Sequence, residues 1–206
     1  MKFIPGKVFG DGGKLENYSR GKCIYHCGDE ADDVFILDAG RVKTLFEAED
    51  GRERIVEIIR AGGLFGIEGL LEGVHNRRTS AVAFDKCTVK RFGREKAREM
   101  IQAEREWPGI FEWSLEQELL RLESYKDHYL LPPKDRLVKF LVTQGLEEGG
   151  YVVKMTQQEL ADAIGVARQK VNQLLKKLEQ EGLVKLRPRR VYVASLIRKV
   201  LRVNPE

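Results

Sequence analysis

Between residues 6 and 107 the chain has no proline, and its apolar runs are short and fenced by glycine. Cys23-Ile24-Tyr25 is followed by Gly28-Asp29, Val34 to Leu37 by Gly40, Val42 to Phe46 by Asp50-Gly51, and Ile55 to Ile59 by Gly62-Gly63. Ala81 to Phe84 and Thr88 to Phe92 continue the series. Such runs are too short to bury the stripe of a helix but suit strands, and breakers at this spacing predict an all-β sandwich or barrel. Within Glu49-Asp50-Gly51-Arg52, the Asp-Gly pair tolerates the positive φ of a tight turn, so a hairpin is expected there.

The texture changes at Arg94. Residues 94–105 predict a short helix. Pro108 suits the first turn of the next one, where its missing N–H costs nothing. From Gly109 to Leu131 there is no further glycine. Leu115, Leu119, Leu122 and Tyr129 fall on heptad spacing, interrupted by Lys126, and Ile110, Phe111, Trp113, Leu120 and Tyr125 form a second apolar stripe. One stripe is expected to pack on the helix's own domain and the other on a partner. Pro132-Pro133 marks a boundary. A helix over 134–144, ended by Gly145, is expected next.

Thr156-Gln157-Gln158-Glu159 spells a capping box, predicting a helix from Gln157 to Ile164. Gly165-Val166-Ala167 is a tight turn, and a second helix is expected from Arg168 to Glu181, stopped by Gly182. Val171, Leu174, Leu175 and Leu178 mark its inner face. Arg168, Gln169, Asn172 and Gln173 lie opposite, and these side chains pair bidentately with guanine or adenine edges. Leu183 to Leu186 and Val191 to Val193 predict two short strands joined by Arg187-Pro188-Arg189-Arg190, a basic wing. Thr156, Lys176, Arg187, Arg189 and Arg190 are the candidate phosphate contacts. Charge agrees: residues 132–206 hold 15 Lys and Arg against 8 Asp and Glu, whereas 1–131 are net acidic.

No apolar run approaches a membrane span or a signal peptide, so a cytoplasmic protein without membrane partners is expected. Cys23, Cys27 and Cys87 do not form a disulfide framework, and neither they nor His26, His75 and His128 have zinc-site spacing. Cys23 and Cys27, four apart on an expected strand, are too distant to join. No nucleophile–base pair or phosphate loop suggests an enzyme.

The ordered motifs resemble those of the CRP/FNR family, regulators related to the cyclic-AMP receptor protein. From about Gly21 these are Gly28-Asp29, Ala31 to Leu37, Gly40-Arg41-Val42, Asp50-Gly51-Arg52, Gly62, Phe65-Gly66, the long helix and the winged pair. The resemblance implies an α+β fold with three parts: a cyclic-nucleotide-binding-type β-roll (jelly roll) with a short helix over 1–107, a dimerisation helix over 108–131, and a winged helix-turn-helix over 132–206. It also implies a homodimer on palindromic sites in double-stranded DNA, controlled by a small effector and working with RNA polymerase.

In the family's phosphate cassette, Phe65-Gly66-Ile67-Glu68-Gly69-Leu70 puts Ile67 where a ribose-binding glutamate is expected, with Glu68 one place late. Arg77-Arg78-Thr79-Ser80-Ala81 keeps a basic residue beside a hydroxyl. The effector site carried over is therefore Gly66, Glu68, Arg77, Arg78 and Thr79, with Tyr125 near the helix position that faces the base. A small anion other than cyclic AMP is expected. The cysteine cluster of iron–sulfur members has no counterpart, so no such cluster is expected, and His75 alone lies near the haem-ligand region. Gln169 stands where many members carry glutamate, so the half-site should differ. Two other readings stay open: a regulatory subunit built on a cyclic-nucleotide module, and a constitutive DNA-binding protein.

Overall fold

The computed structural model describes residues 5–10, 12–49, 51–147 and 152–194, apart from the side chains of residues 6, 7, 124, 127–129, 146 and 147. The chain divides into two compact units, Met1–Arg121 and Leu122–Glu206. No helix among the described residues is long and apolar enough to cross a membrane.

The first unit opens with a short helix, α1 (Pro5–Phe9), and then lays down eight antiparallel strands. These are β1 (Lys14–Tyr18), β2 (Cys23–Tyr25), β3 (Asp33–Ala39), β4 (Arg41–Glu47), β5 (Glu53–Arg60), β6 (Leu64–Phe65), β7 (Ser80–Ala83) and β8 (Cys87–Gly93). They form two four-stranded sheets, in the orders β1-β8-β3-β6 and β2-β7-β4-β5. The hairpin expected at Asp50-Gly51 joins β4 to β5: Ala48 donates to Arg52 O and Gly51 donates to Ala48 O. Two helices follow, α2 (Arg94–Ala103) and α3 (Trp107–Leu130).

The unbroken apolar run Val34 to Leu37 follows from the position of β3. Successive side chains on a strand point to opposite faces. Phe35 and Leu37 enter one core with Tyr25, Val42, Ile59, Phe65, Ala81, Ala83, Cys87 and Val89, drawn from both sheets. Val34 and Ile36 enter a second core with Phe9, Leu64, Leu70, Phe92, Ala97, Ile101 and Ile110. A strand covered on both faces must be apolar at every position. At about 1.5–3 kcal/mol for each fully buried large side chain, these two cores are the main stabilisation of the unit.

The second unit holds α4 (Pro133–Glu147), β9 (Val152–Val153), α5 (Gln157–Ile164), α6 (Arg168–Gln180), β10 (Val184–Arg187) and β11 (Arg190–Val193). Its sheet runs β10-β11-β9. Leu137, Leu141, Leu160, Ile164, Leu175 and Leu178 are fully buried.

Three expectations are corrected. Gly145 does not end its helix. α4 continues to Glu147 with Gly145 buried: the burial of Leu137, Val138, Leu141 and Val142 on the same helix outweighs the roughly 1 kcal/mol a helical glycine costs. Phe111 and Leu120 do not pack on their own domain: they are 69% and 54% exposed, while Ile110 is buried and Trp113 packs against the second core. Phe111 lies four residues before Leu115 and so shares its face. Finally, β2 ends at Tyr25, leaving Cys27 in the following turn rather than on a strand.

Candidate DNA-binding surface and effector pocket

The candidate DNA-reading side chains are placed by caps and packing, one step at a time. Thr156 caps α5: its hydroxyl oxygen accepts from Glu159 N at 3.1 Å, and Glu159 Oε2 accepts from Thr156 N at 2.6 Å. The hydroxyl proton of Thr156 is left as a donor. Gly165 closes the helix in the left-handed region, φ 66, and donates to Ala161 O. The turn then launches α6, whose Val171, Leu174, Leu175 and Leu178 are buried. Arg168, Gln169, Gln173 and Lys176 are exposed and Asn172 is half-buried. The burial of one face thus fixes the presentation of the other.

The wing is a two-residue hairpin in which Arg187 pairs with Arg190 across Pro188-Arg189. Arg187, Arg189 and Arg190 are all exposed, and Arg189 takes φ 54. Two ties were not anticipated. Glu179, on α6, accepts from Leu186 N in β10 at 2.8 Å, and Lys134 donates to Glu181 at 2.7 Å. Both acids lie at a helix end, and only the folded chain reveals their partners: the return through β10 for Glu179, and the start of α4 for Glu181. Lys170 and Lys185 are further exposed basic residues of this surface.

In the β-roll, Gly66, Glu68, Arg77 and Thr79 come together around Tyr25. Arg77 is 3% exposed, and its guanidinium donates to Gly66 O at 2.8 Å and Asp33 O at 2.6 Å. It lies 4.4 Å from the centroid of the Tyr25 ring and 5.5 Å from that of Phe35. Glu68 Oε2 stands 3.8 Å from Arg77 Nη1. Arg77 Nε is buried without a hydrogen-bond partner. Gly66 is required by this approach: a Cβ there would meet Arg77 Nη1 at 2.8 Å, and its φ is 68. Burial is the main cause that raises the Tyr25 phenol above its usual range, followed by the charge of Glu68, while Arg77 and a hydrogen bond with Thr79 act the other way. Arg78 is exposed and Thr79 half-buried. Tyr125, half-buried, belongs to the second unit. Tyr25 and the Asp33 carbonyl were invisible to motif reasoning, since one reads as a core aromatic and the other is backbone.

On α3, Leu115, Leu119 and Leu122 are 61%, 56% and 55% exposed. The Tyr129 side chain lies outside the described residues. Cys23, Cys27 and Cys87 are free thiols, with Cys23 bonded to Tyr25 O and Cys27 to Arg78 O. Burial raises the thiols of Cys23 and Cys87. Among the described residues no group of three His, Cys, Asp or Glu could hold a metal ion.

Residues 15–104 match the model of the cyclic nucleotide-binding domain, and residues 135–198 that of the Crp-like helix-turn-helix domain. The chain is 29% identical over 186 residues to the cAMP-activated global transcriptional regulator Vfr of Pseudomonas aeruginosa, covering 85% of this chain and 87% of that one. It is 29% identical over 191 residues to the global nitrogen regulator of Synechococcus elongatus, covering 87% and 85%. In fold it is similar to the c-di-GMP responsive global regulator CLP of Xanthomonas campestris, with a TM-score of 0.80 at 22% identity over 92% of this chain and 97% of that one. A β-roll matched as a cyclic nucleotide-binding domain, followed in order by a Crp-like helix-turn-helix domain, makes this chain a DNA-binding transcription regulator of the CRP/FNR family.

Proposed function

We propose that the protein acts as a homodimer on palindromic sites, with half-site centres about 34–36 Å apart, and that a small anionic effector other than cyclic AMP gates its binding. The observation that carries the DNA half of this reading is the division of α6 into a buried apolar face and a polar face of Arg168, Gln169, Asn172 and Gln173. Thr156, Lys176 and the wing arginines 187, 189 and 190 flank that face as phosphate contacts. Phe111, Leu115, Leu119 and Leu122 supply the dimer seam, extended in sequence by Tyr129. In this reading residues 1–107 sense, 108–131 dimerise and 132–206 bind DNA in the cytoplasm, where RNA polymerase is the expected partner.

The effector half rests on Gly66, Glu68, Arg77, Arg78 and Thr79. Ile67 offers no hydrogen bond to a ribose hydroxyl, which argues against cyclic AMP. The effectors named for relatives differ among themselves, cAMP for one and c-di-GMP for another, so family membership fixes none. A second reading, DNA binding without any effector, is favoured by the engagement of Arg77 with two carbonyls. Selection of bound sequences from random DNA, followed by footprinting, tests the first half. A two-fold symmetric consensus is expected, and an asymmetric or absent consensus would refute it. Cell-extract metabolites added to the same binding assay separate gated from constitutive behaviour.

A further inference from the structure

Arg77 is better provided for than a waiting anion receptor would be, yet not fully. Two of its donors are spent on Gly66 O and Asp33 O. A guanidinium carries five N–H groups, and here the buried Nε makes no hydrogen bond. A buried arginine with a spare donor is costly unless a counter-charge is near. Glu68 supplies it, at 3.8 Å from Nη1: within Coulomb range but beyond hydrogen-bond range. The Glu68 side chain is only 16% exposed, so water screens the pair weakly. The turn that carries Glu68 is held tightly in place. It is a 3-10 turn, Ile67–Leu70, entered through Gly66 in the left-handed region. A Cβ at Gly69 would run into the backbone of Asp33, the residue whose carbonyl holds Arg77.

We propose that Glu68 is a built-in counter-ion that keeps the place of an external oxyanion at Arg77. The effector, a compact carboxylate or phosphate, binds by exchanging with the Glu68 carboxylate and taking the spare Nε donor. This rests on the reading of Arg77 as part of the effector site, and it adds the reason that the empty state is stable and selective. A weakly held anion cannot displace a tethered carboxylate, so Glu68 sets the threshold for response.

The test compares the full-length parent with Glu68→Gln and Glu68→Asp by calorimetry, using inorganic phosphate, succinate and cyclic AMP as separate probes. Glutamine removes the charge at constant size. Aspartate withdraws it by one methylene and serves if the first variant does not fold. Arg77 keeps its two carbonyl partners in both. If the pair is formed about nine-tenths of the time, its removal raises affinity for at least one probe about tenfold. Adding Arg77→Lys should abolish the gain, and the probe that gains most tells carboxylate from phosphate. Equal affinities of parent and variants for all three probes overturn the proposal, as does a gain that survives Arg77→Lys. DNA affinity measured beside each titration distinguishes the two failures. A parent whose DNA binding responds to a probe, with no gain in the variants, sinks the counter-ion and leaves effector gating standing. A gain in the variants with no DNA response does the reverse.

Discussion

At the wing tip, a single residue carries backbone strain. Arg189 follows Pro188 in the two-residue link and takes φ 54, a conformation that costs a residue with a Cβ about 1–2 kcal/mol. A proline followed by a residue of positive φ is the pattern of a type II turn, where glycine is the relaxed choice. An arginine held there makes sense if its charge matters more than its backbone comfort. Arg189→Gly should therefore leave the thermal midpoint unchanged or higher, while weakening binding to all DNA sequences alike. The salt dependence of binding should fall by about one counterion. A lowered midpoint with unaltered DNA affinity would mean that the arginine is structural. Tyr18 gives a residue-scale prediction about pH. Its hydroxyl donates to Glu16 Oε2 at 2.7 Å, and burial first, then this bond, push the phenol up to about 12. The fold holds the neutral phenol, so its contribution is intact below the unfolded value of about 10 and is lost as pH rises from there to about 12. Tyr25 is raised still further, so it too loses stability from the unfolded value upward, through this window and beyond it. Urea midpoints measured across about pH 10–12 should fall less for Tyr18→Phe than for the parent. Parallel curves would remove Tyr18 from the account.

Among the elements, the proposed division gives reading to α6 and gripping to the β10–β11 hairpin. Arg168→Ala or Gln169→Ala should cost about 1–3 kcal/mol on the preferred site and relax selection at particular bases. Arg190→Ala should weaken every sequence equally. Binding to single-base variants at several salt concentrations checks both, and a base-selective effect of Arg190→Ala would reverse the assignment. The elements most legible in the sequence were those whose local chemistry agrees with their burial. The capping box at Thr156, the four-residue spacing of Val171 and Leu175, and the Asp50-Gly51 hairpin all specify themselves locally. β1 escaped notice because Lys14–Tyr18 has two apolar residues and one of them, Leu15, is 59% exposed. Its place is set by pairing with β8. β6 and β9 are two residues long, too short for any period to register. Gly145 misled because one helical glycine costs only roughly 1 kcal/mol, less than the packing of the buried face of α4 returns. For the candidate effector site, the residue names were legible but their arrangement was not. No spacing shows that Arg77 reaches the carbonyls of Asp33 and Gly66, 44 and 11 residues away.

For the whole molecule, the exposed stripe on α3 is the feature that asks for a second copy. Four large apolar side chains more than half exposed along one helix face are a liability for a lone chain and a seam for a dimer. Leu119→Glu would set an unpaired charge in that seam. Sedimentation at micromolar concentration should give a dimer for the parent and a shift toward monomer for the variant. A monomeric parent would end the dimer reading, and with it the palindrome. The bond from Leu186 N to Glu179 has its own consequence for partner choice. It clasps strand to helix, so in the proposed reading the base-reading helix and the phosphate-gripping hairpin resist sliding apart to suit a duplex of different shape. Accommodation then falls to the DNA. Two operators with the same contacted bases but flanks of unequal stiffness should be bound unequally, the more pliant one more tightly, although no side chain touches the difference.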